Sequence, residues 1–194
     1  MNSSRNNLKE VILSSSRTVF TMQSLSMLSG IALGSCLASQ IHYYVKTGLL
    51  GNPRRGIYTK PIYDLAELAC SIFRPSYLSL EYVLQRAGVV FQWDDTITSV
   101  SYLNRQIVVD GQSLHYRQIV GSLWTDYQGI ECHDNVAIAS PERAFLDMVY
   151  LSHGECYFDN LRPLNRAKVM SLLPHYDNKA LTTHVKTILG NGSK

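Results

Sequence analysis

Apolar residues recur at helical spacing through the first quarter of the chain and then give way to short extended runs. A first helix is predicted from Ser4 to about Ser15, with Ser3 or Ser4 as its cap. A second begins after Thr21, which can cap it, and stops at Ser29-Gly30. A third begins at Gly34-Ser35, with Ser35 as N-cap, and ends at Thr47-Gly48.

The extended runs GLL and GIYTK follow the third helix and flank the turn NPRR, which predicts a small hairpin with Arg54 and Arg55 at its tip. Helix, sharp turn, helix and two-stranded hairpin is the order of a winged helix-turn-helix, in which the second motif helix enters the DNA major groove. The hairpin would then be the wing, and its two arginines are expected at the DNA backbone or the neighbouring minor groove.

The third predicted helix has two faces of different character. Leu37, Ile41, Tyr44 and Val45 form an apolar stripe that should pack inward. The opposite face and its edge carry side chains that can hydrogen-bond or approach a phosphate. These are the candidate DNA-binding residues of the helix: Ser35, Ser39, Gln40, His42, Tyr43 and Lys46.

From Tyr63 onward the pattern alternates between helices and strands. The predicted helices are 64–73, a segment capped by Ser79 that closes on Gly88, the run SPERAFLDMVYL capped by Ser140, 165–173 and 178–189. The predicted strands are 96–103, 136–139 and a hairpin over 106–119 around Asp110-Gly111. The expected fold class is α+β, with a winged helix-turn-helix over residues 1–62 and a mixed α/β domain over residues 63–194.

The net charge changes sign at the same boundary, after residue 62. The chain has 18 basic and 15 acidic residues, a net charge of +3. Residues 1–62 hold seven of the bases and one acid, a net of +6, and residues 63–194 hold 11 bases and 14 acids, a net of −3. A basic module joined to an acidic domain is expected of a protein that binds a polyanion.

Other features of the composition bear on location. The four cysteines are widely spaced, which favours reduced thiols in the cytoplasm, and the apolar runs are too short to cross a bilayer. We therefore expect a cytoplasmic protein without a membrane partner.

Metal sites and catalytic sets are weakly supported. A zinc site from Cys132, His133, His153 and Cys156 has poor spacing, because adjacent Cys and His rarely reach one tetrahedral ion. A metal-dependent nuclease needs clustered acids beside a lysine, and no lysine lies between Asp94 and Glu131. The other two acids of such a nuclease site would be Asp95 and Asp110, but Asp110 is better explained as a residue of the hairpin turn than as a metal ligand.

Motifs for nucleotide cradling and for serine hydrolases are missing from the sequence, and a nucleophilic pair of Cys132 with His115 has no local signature. Glu142, Arg143 and Asp147 are interpreted as helix-start and surface-pair residues. No cofactor, no metal and no catalytic activity are expected.

Two runs resemble the AbiEi-type antitoxins of bacterial type IV toxin–antitoxin systems: SYLSLEYVLQRAG and AIASPERAFLDMVYL. Tyr77-Leu78-Ser79, Leu84, Gly88 and the run from Ile138 to Asp147 carry the resemblance, and Ala87 replaces a histidine of the family. The resemblance implies a DNA-binding domain that represses its own operon, often at inverted repeats. It also implies a C-terminal domain that counteracts a nucleotidyltransferase-like toxin.

Together these features predict a non-catalytic, sequence-specific autorepressor that binds double-stranded operator DNA and acts as an antitoxin. A monomer on each repeat is favoured, since no coiled coil or dimer seam is apparent. Two alternatives stay open: a metal-dependent nucleic-acid-processing enzyme with a winged-helix domain, and a repressor that responds to a small ligand.

Overall fold

The computed structural model describes residues 7–124, 126–133 and 135–191, and the chain divides into two compact units. The first unit ends at Ile72 and the second begins at Phe73, whereas the sequence predicted a boundary after residue 62. The helix Leu65–Ile72 accounts for the difference, because its buried Glu67 accepts hydrogen bonds at Oε2 from the backbone nitrogen and the hydroxyl of Thr18, at 2.8 and 2.7 Å.

The first unit contains the helices α1 (Leu8–Ser14), α2 (Met22–Ser29), α3 (Ser35–Lys46) and α4 (Leu65–Ile72). Asn7 caps α1 by accepting from the Lys9 nitrogen, and the predicted caps Ser3 and Ser4 lie outside the described residues. Thr21 caps α2 as predicted, in a reciprocal capping box with Ser24. Gly30 ends α2 in the left-handed conformation, with φ of 70°.

Three short strands complete the first unit: β1 (Val19–Thr21), β2 (Gly51–Arg54) and β3 (Ile57–Thr59). They form an antiparallel sheet in the order β1-β3-β2. The sequence did not predict β1, because three residues between two helices are too few to show a period of two. One buried cluster joins α1, α2 and α3 to β1, and its members are Leu8, Ile12, Phe20, Leu25, Leu37, Ile41 and Leu50.

The second unit is built on a six-stranded mixed sheet in the order β6-β7-β5-β4-β9-β8. Its strands are β4 (Ser76–Leu78), β5 (Ile97–Ser101), β6 (Arg105–Val109), β7 (Gln112–Gln118), β8 (Ile130–His133) and β9 (Val136–Ala139). The pairs β4–β9 and β5–β7 are parallel and the others antiparallel. The predicted hairpin turn is confirmed, with positive φ at both Asp110 and Gly111.

The helices of the second unit pack around α7, and the α+β fold class is confirmed. They are α5 (Glu81–Arg86), α6 (Gly121–Trp124), α7 (Pro141–Leu151), α8 (Arg166–Leu172) and α9 (Lys179–Asn191), with a 3₁₀ turn over Leu173–Tyr176. Ser140 caps α7 as predicted. Ala144, Phe145 and Val149 are fully buried and form an apolar stripe on α7, and Met148 is half-buried at its edge. No helix within the described ranges is long and apolar enough to cross a membrane.

Glu142 lies in the first turn of α7 and holds the start of α8. Its Oε1 accepts from the Asn165 nitrogen at 3.1 Å, and its Oε2 lies 3.0 Å from the Lys168 ammonium. Burial raises the pKa of the Glu142 carboxyl, but these donors outweigh burial, so the pKa lies below its ordinary value. Glu142 therefore favours the folded state in its ionised form.

Arg143 and Asp147 contradict the sequence interpretation, which placed them on the surface. Both side chains are fully buried, and Arg143 Nε donates to Asp147 Oδ1 at 3.2 Å. Asp147 also accepts from the hydroxyls of Tyr77 at 3.0 Å, Ser79 at 2.7 Å and Tyr176 at 2.5 Å. Ser79 is therefore not the cap of α5: Leu80 occupies that position, and the Ser79 hydroxyl binds Asp147 instead.

The Arg143 guanidinium also fixes the chain before β8. It donates to the carbonyl oxygens of Leu123 at 2.8 Å and Gln128 at 3.0 Å. Burial raises the pKa of the Asp147 carboxyl, and the guanidinium and the hydroxyl donors oppose that rise. Burial alone would lower the pKa of Arg143, but the carboxylate raises it above its ordinary value. The pair thus joins β4, the 3₁₀ turn and the backbone at Leu123 and Gln128 to α7.

Candidate nucleic-acid interface

Helix α3 presents the predicted polar face, but it begins differently from the prediction. Gly34 occupies the N-cap position with an extended backbone (φ 164°), and Ser35 is the first helical residue instead of the cap. Thr47 ends the helix as predicted. Leu37 and Ile41 are fully buried, so the apolar stripe orients the helix and leaves its other side exposed.

Most of the predicted binding residues of α3 lie on that exposed side. Ser35, Ser39, His42, Tyr43 and Lys46 are exposed, and Gln40 is half-buried at the edge of the face. Tyr43 is 61% exposed, with its ring edge-on to Tyr44 at 5.6 Å between centroids. The side chains therefore offer hydroxyl, imidazole, amide and ammonium groups along one surface of the helix.

Cys36 also belongs to this face, although it is not among the residues predicted from the sequence. Cys36 is exposed, and its sulfur accepts a hydrogen bond of 3.5 Å from Gln40 Nε2. Its position four residues before Gln40 places it one helical turn away on the same side, which the helical period could have shown.

The hairpin is built differently from the prediction. The turn is Arg55-Gly56, with φ of 82° at the glycine, whereas Asn52, Pro53 and Arg54 belong to β2. The GLL run lies before the strand. Asn52 Nδ2 closes the hairpin by donating to the carbonyl oxygens of Arg54 at 2.9 Å and Ile57 at 2.7 Å. Asn52 therefore bridges the two strands from within β2, whereas the prediction placed it in the turn.

The three nearby basic residues have different roles. Arg55 is exposed in the turn, whereas Arg54 is half-buried and lies opposite Ile57 in the strand register. Lys60 donates from Nζ to the carbonyl oxygen of Ser15 at 2.7 Å, just beyond the end of α1. A cation there is favourable because helix C-termini carry partial negative charge. The Lys60 ammonium therefore stabilises the C-terminal end of α1.

Helix α3 and the hairpin carry no carboxylates of their own, because the sequence contains no acidic residue between Glu10 and Asp64. With its boundary at Ile72, the first unit holds seven basic and three acidic residues, a net charge of +4. Of the acids, Glu67 is buried against Thr18. The face of α3 and the hairpin turn are thus free of side chains that would repel phosphate.

The acids considered for metal binding have local partners or lie apart. Asp94 accepts at Oδ1 from the Thr96 nitrogen at 2.8 Å, and this bond lowers the pKa of the Asp94 carboxyl. Asp110 forms the β6–β7 turn with φ of 50°. Among the described residues, no group of three or more His, Cys, Asp or Glu side chains is arranged to hold a metal ion.

Comparisons with known proteins show a similarity of fold. No protein-family model matches the chain, and no curated protein matches it. The fold is similar to that of the Rv2827c protein from Mycobacterium tuberculosis, with a TM-score of 0.54 and 14% sequence identity. The similarity covers 99% of this chain and 77% of that one. At this identity it concerns the fold alone.

Proposed function

We propose that this chain is a sequence-specific DNA-binding repressor of the antitoxin type, without catalytic activity of its own. The observation that carries the proposal is the exposed, acid-free polar face of α3 beside a hairpin whose turn holds Arg55. Double-stranded operator DNA would bind this surface, with α3 in the major groove and Arg55 at the phosphate backbone or the adjacent minor groove.

We propose that the first unit is a winged helix-turn-helix. The order α1-β1-α2-α3-β2-β3, with a three-stranded antiparallel sheet, supports this assignment. Helix α3 has 12 residues, about 18 Å at 1.5 Å per residue, which is enough to lie across a major groove about 12 Å wide. In this assignment α2 and α3 are the helix-turn-helix and the β2–β3 hairpin is the wing.

The second unit would supply the antitoxin function, acting on a nucleotidyltransferase-like toxin. The resemblance of its SPERAFLD run to antitoxins supports this role, but Arg143 and Asp147 within that run are fully buried. The run therefore organises the fold, and the surface that meets the toxin must be formed by other residues.

DNA recognition is tested by replacing Ser39, Tyr43 and Lys46 together by alanine, since all three are exposed and none contributes to the core cluster. We expect the triple variant to lose its preference for the promoter of its own operon over random DNA. Each lost base contact would weaken specific binding by about 1–3 kcal/mol. Footprinting and fluorescence anisotropy measure the two affinities.

A matched control removes the same residue types from the second unit. Ser171, Tyr157 and Lys179 are also exposed, and their triple alanine variant should bind the promoter as the wild type does. If the α3 variant still protects the same footprint, α3 is not the recognition helix.

The antitoxin role is tested by co-expression with the nucleotidyltransferase-like product of a neighbouring gene. The α3 triple variant should still relieve toxicity, because its second unit is unchanged. If neither the wild type nor the variant restores growth, the second unit does not act as an antitoxin, and the DNA-binding result stands independently.

A further inference from the structure

A groove in the second unit has no role in the function proposed above for α3 and the hairpin. It has a volume of about 680 Å³ and lies between the chain that follows α5 and the chain that precedes α8. Four apolar side chains line it: Phe91, Phe158, Leu161 and Leu164. Phe158 and Leu164 are buried, whereas Phe91 is 67% exposed. The groove thus has an apolar part that includes one large aromatic side chain exposed to water.

The two walls of the groove are held together by hydrogen bonds. The backbone nitrogens of Asp159 and Asn160 both donate to the Val89 carbonyl oxygen, at 3.0 and 3.1 Å. Asn160 Nδ2 donates to the Gly88 carbonyl oxygen at 3.3 Å, and the Phe91 nitrogen donates to Asp159 Oδ2 at 2.7 Å. These bonds preform the groove, so binding would not have to order its walls.

The charges on the groove favour an acidic ligand. Arg162 and Arg166 line it and are exposed. Asp159 also lines it, but its Oδ2 already accepts from the Phe91 nitrogen. In the part of the chain that the structure describes, no carboxylate lies within ion-pair distance of the Arg162 guanidinium. An arginine in this setting can bind a carboxylate through two parallel hydrogen bonds.

Exposed aromatic residues adjoin the groove along the chain. Trp93 is 68% exposed and Tyr157 is 81% exposed, and each lies one or two residues from a groove residue. The segment with Phe91 and Trp93 is anchored, since Gln85 Nε2 donates to the Gln92 carbonyl oxygen at 2.7 Å. Tyrosine, tryptophan, phenylalanine and arginine are the residues enriched in protein–protein interfaces.

We propose that this groove binds a segment of a partner protein in which an aromatic or aliphatic side chain is flanked by carboxylates. The apolar side chain would pack against Phe91 and Phe158, and a carboxylate would bind Arg162, with Arg166 adding positive charge to the same groove. The groove is a property of the second unit alone. If the second unit acts as an antitoxin, the bound segment belongs to the toxin, and this identification of the partner rests on the function proposed above.

The test is selection of peptides that bind the full-length chain. A phage-displayed library of random dodecapeptides is selected on the immobilised protein, and the enriched peptides are synthesised and titrated by fluorescence anisotropy. We expect each to contain an aromatic or aliphatic residue with Asp or Glu beside it. Phe91→Ala and Arg162→Glu should each weaken binding about tenfold or more, the size typical of an interface hot spot.

Arg105→Glu is the matched control, because Arg105 is exposed on β6 and does not line the groove. It should leave peptide affinity unchanged, and all three variants should keep the wild-type melting temperature and promoter affinity. Retained promoter affinity would show that the groove substitutions affect peptide binding and not DNA binding. Rescue of growth tests the antitoxin role in a separate experiment.

Three results would overturn the proposal: no enrichment of peptides, enrichment of basic peptides, or binding that the groove substitutions do not change. Sedimentation of the wild type and of Phe91→Ala tests for a fourth result that would overturn it. A dimer that the substitution dissociates would mean that a second copy fills the groove.

Discussion

Replacing Asp147 by asparagine tests whether Arg143 and Asp147 form an exposed pair, as the sequence predicted, or a buried pair, as the structure shows. If Arg143 and Asp147 were an exposed pair four residues apart on a helix, breaking it would change stability by about 0.3–0.5 kcal/mol. In the structure both side chains have no exposed surface. Removing one partner of a buried ion pair leaves an uncompensated charge, and the expected loss is about 3–5 kcal/mol.

The contacts of the pair support the upper part of that range. The asparagine would keep the shape of Asp147, but its NH₂ group would face donors, since Tyr77, Ser79, Tyr176 and Arg143 all donate to this carboxylate. The Arg143 charge would remain buried without its counter-ion. Stabilities of domains are about 5–15 kcal/mol, so the variant should be severely destabilised.

Urea unfolding followed by tryptophan fluorescence measures the loss, because both tryptophans, Trp93 and Trp124, belong to the second unit. A double-mutant cycle with Arg143→Met and Asp147→Leu isolates the pair. The double variant should be more stable than the sum of the single effects predicts, by about 1–3 kcal/mol, because it leaves no unpaired charge. A loss below about 1 kcal/mol for Asp147→Asn would refute the buried pair.

Three further predictions concern the remaining features. Arg55→Ala should weaken binding to promoter and random DNA alike and reduce the salt slope of log K by about one unit, and an unchanged slope would show that this arginine contacts no phosphate. Gly51→Ala should lower the stability of the first unit by about 1–3 kcal/mol, because the new Cβ would lie 2.7 Å from Oγ1 of the buried Thr59. Thermal melting measures this loss. Gly34→Ser is the control and should leave the melting temperature unchanged, because no atom lies within 4 Å of a Cβ added at Gly34. Because the folded pKa of Glu142 lies below its ordinary value of 4.5, its stabilisation should be present above about pH 4.5 and lost as the pH falls through the folded value. The difference in unfolding free energy between the wild type and Glu142→Gln should therefore disappear in acid, and a difference that persists there would contradict this account.

Local signals in the sequence were sufficient for most elements. The Thr21 cap, the Asp110-Gly111 turn and the Ser140 cap were predicted correctly, because each depends on residues within a few positions of one another. The exposed face of α3 was likewise predicted from a single helical period, and the candidate interface residues on it could be named from the sequence.

The tertiary structure decided what distant residues do to one another. Helix α4 belongs to the first unit because Glu67 bonds Thr18, 49 residues away. Ser79 looked like a helix cap, but its hydroxyl bonds Asp147, 68 residues away. Sequence spacing shows which residues share a helix face but not what covers that face. An Arg and an Asp four residues apart therefore look the same whether water or a folded chain surrounds them, and only the packing of the second unit makes this pair a buried one.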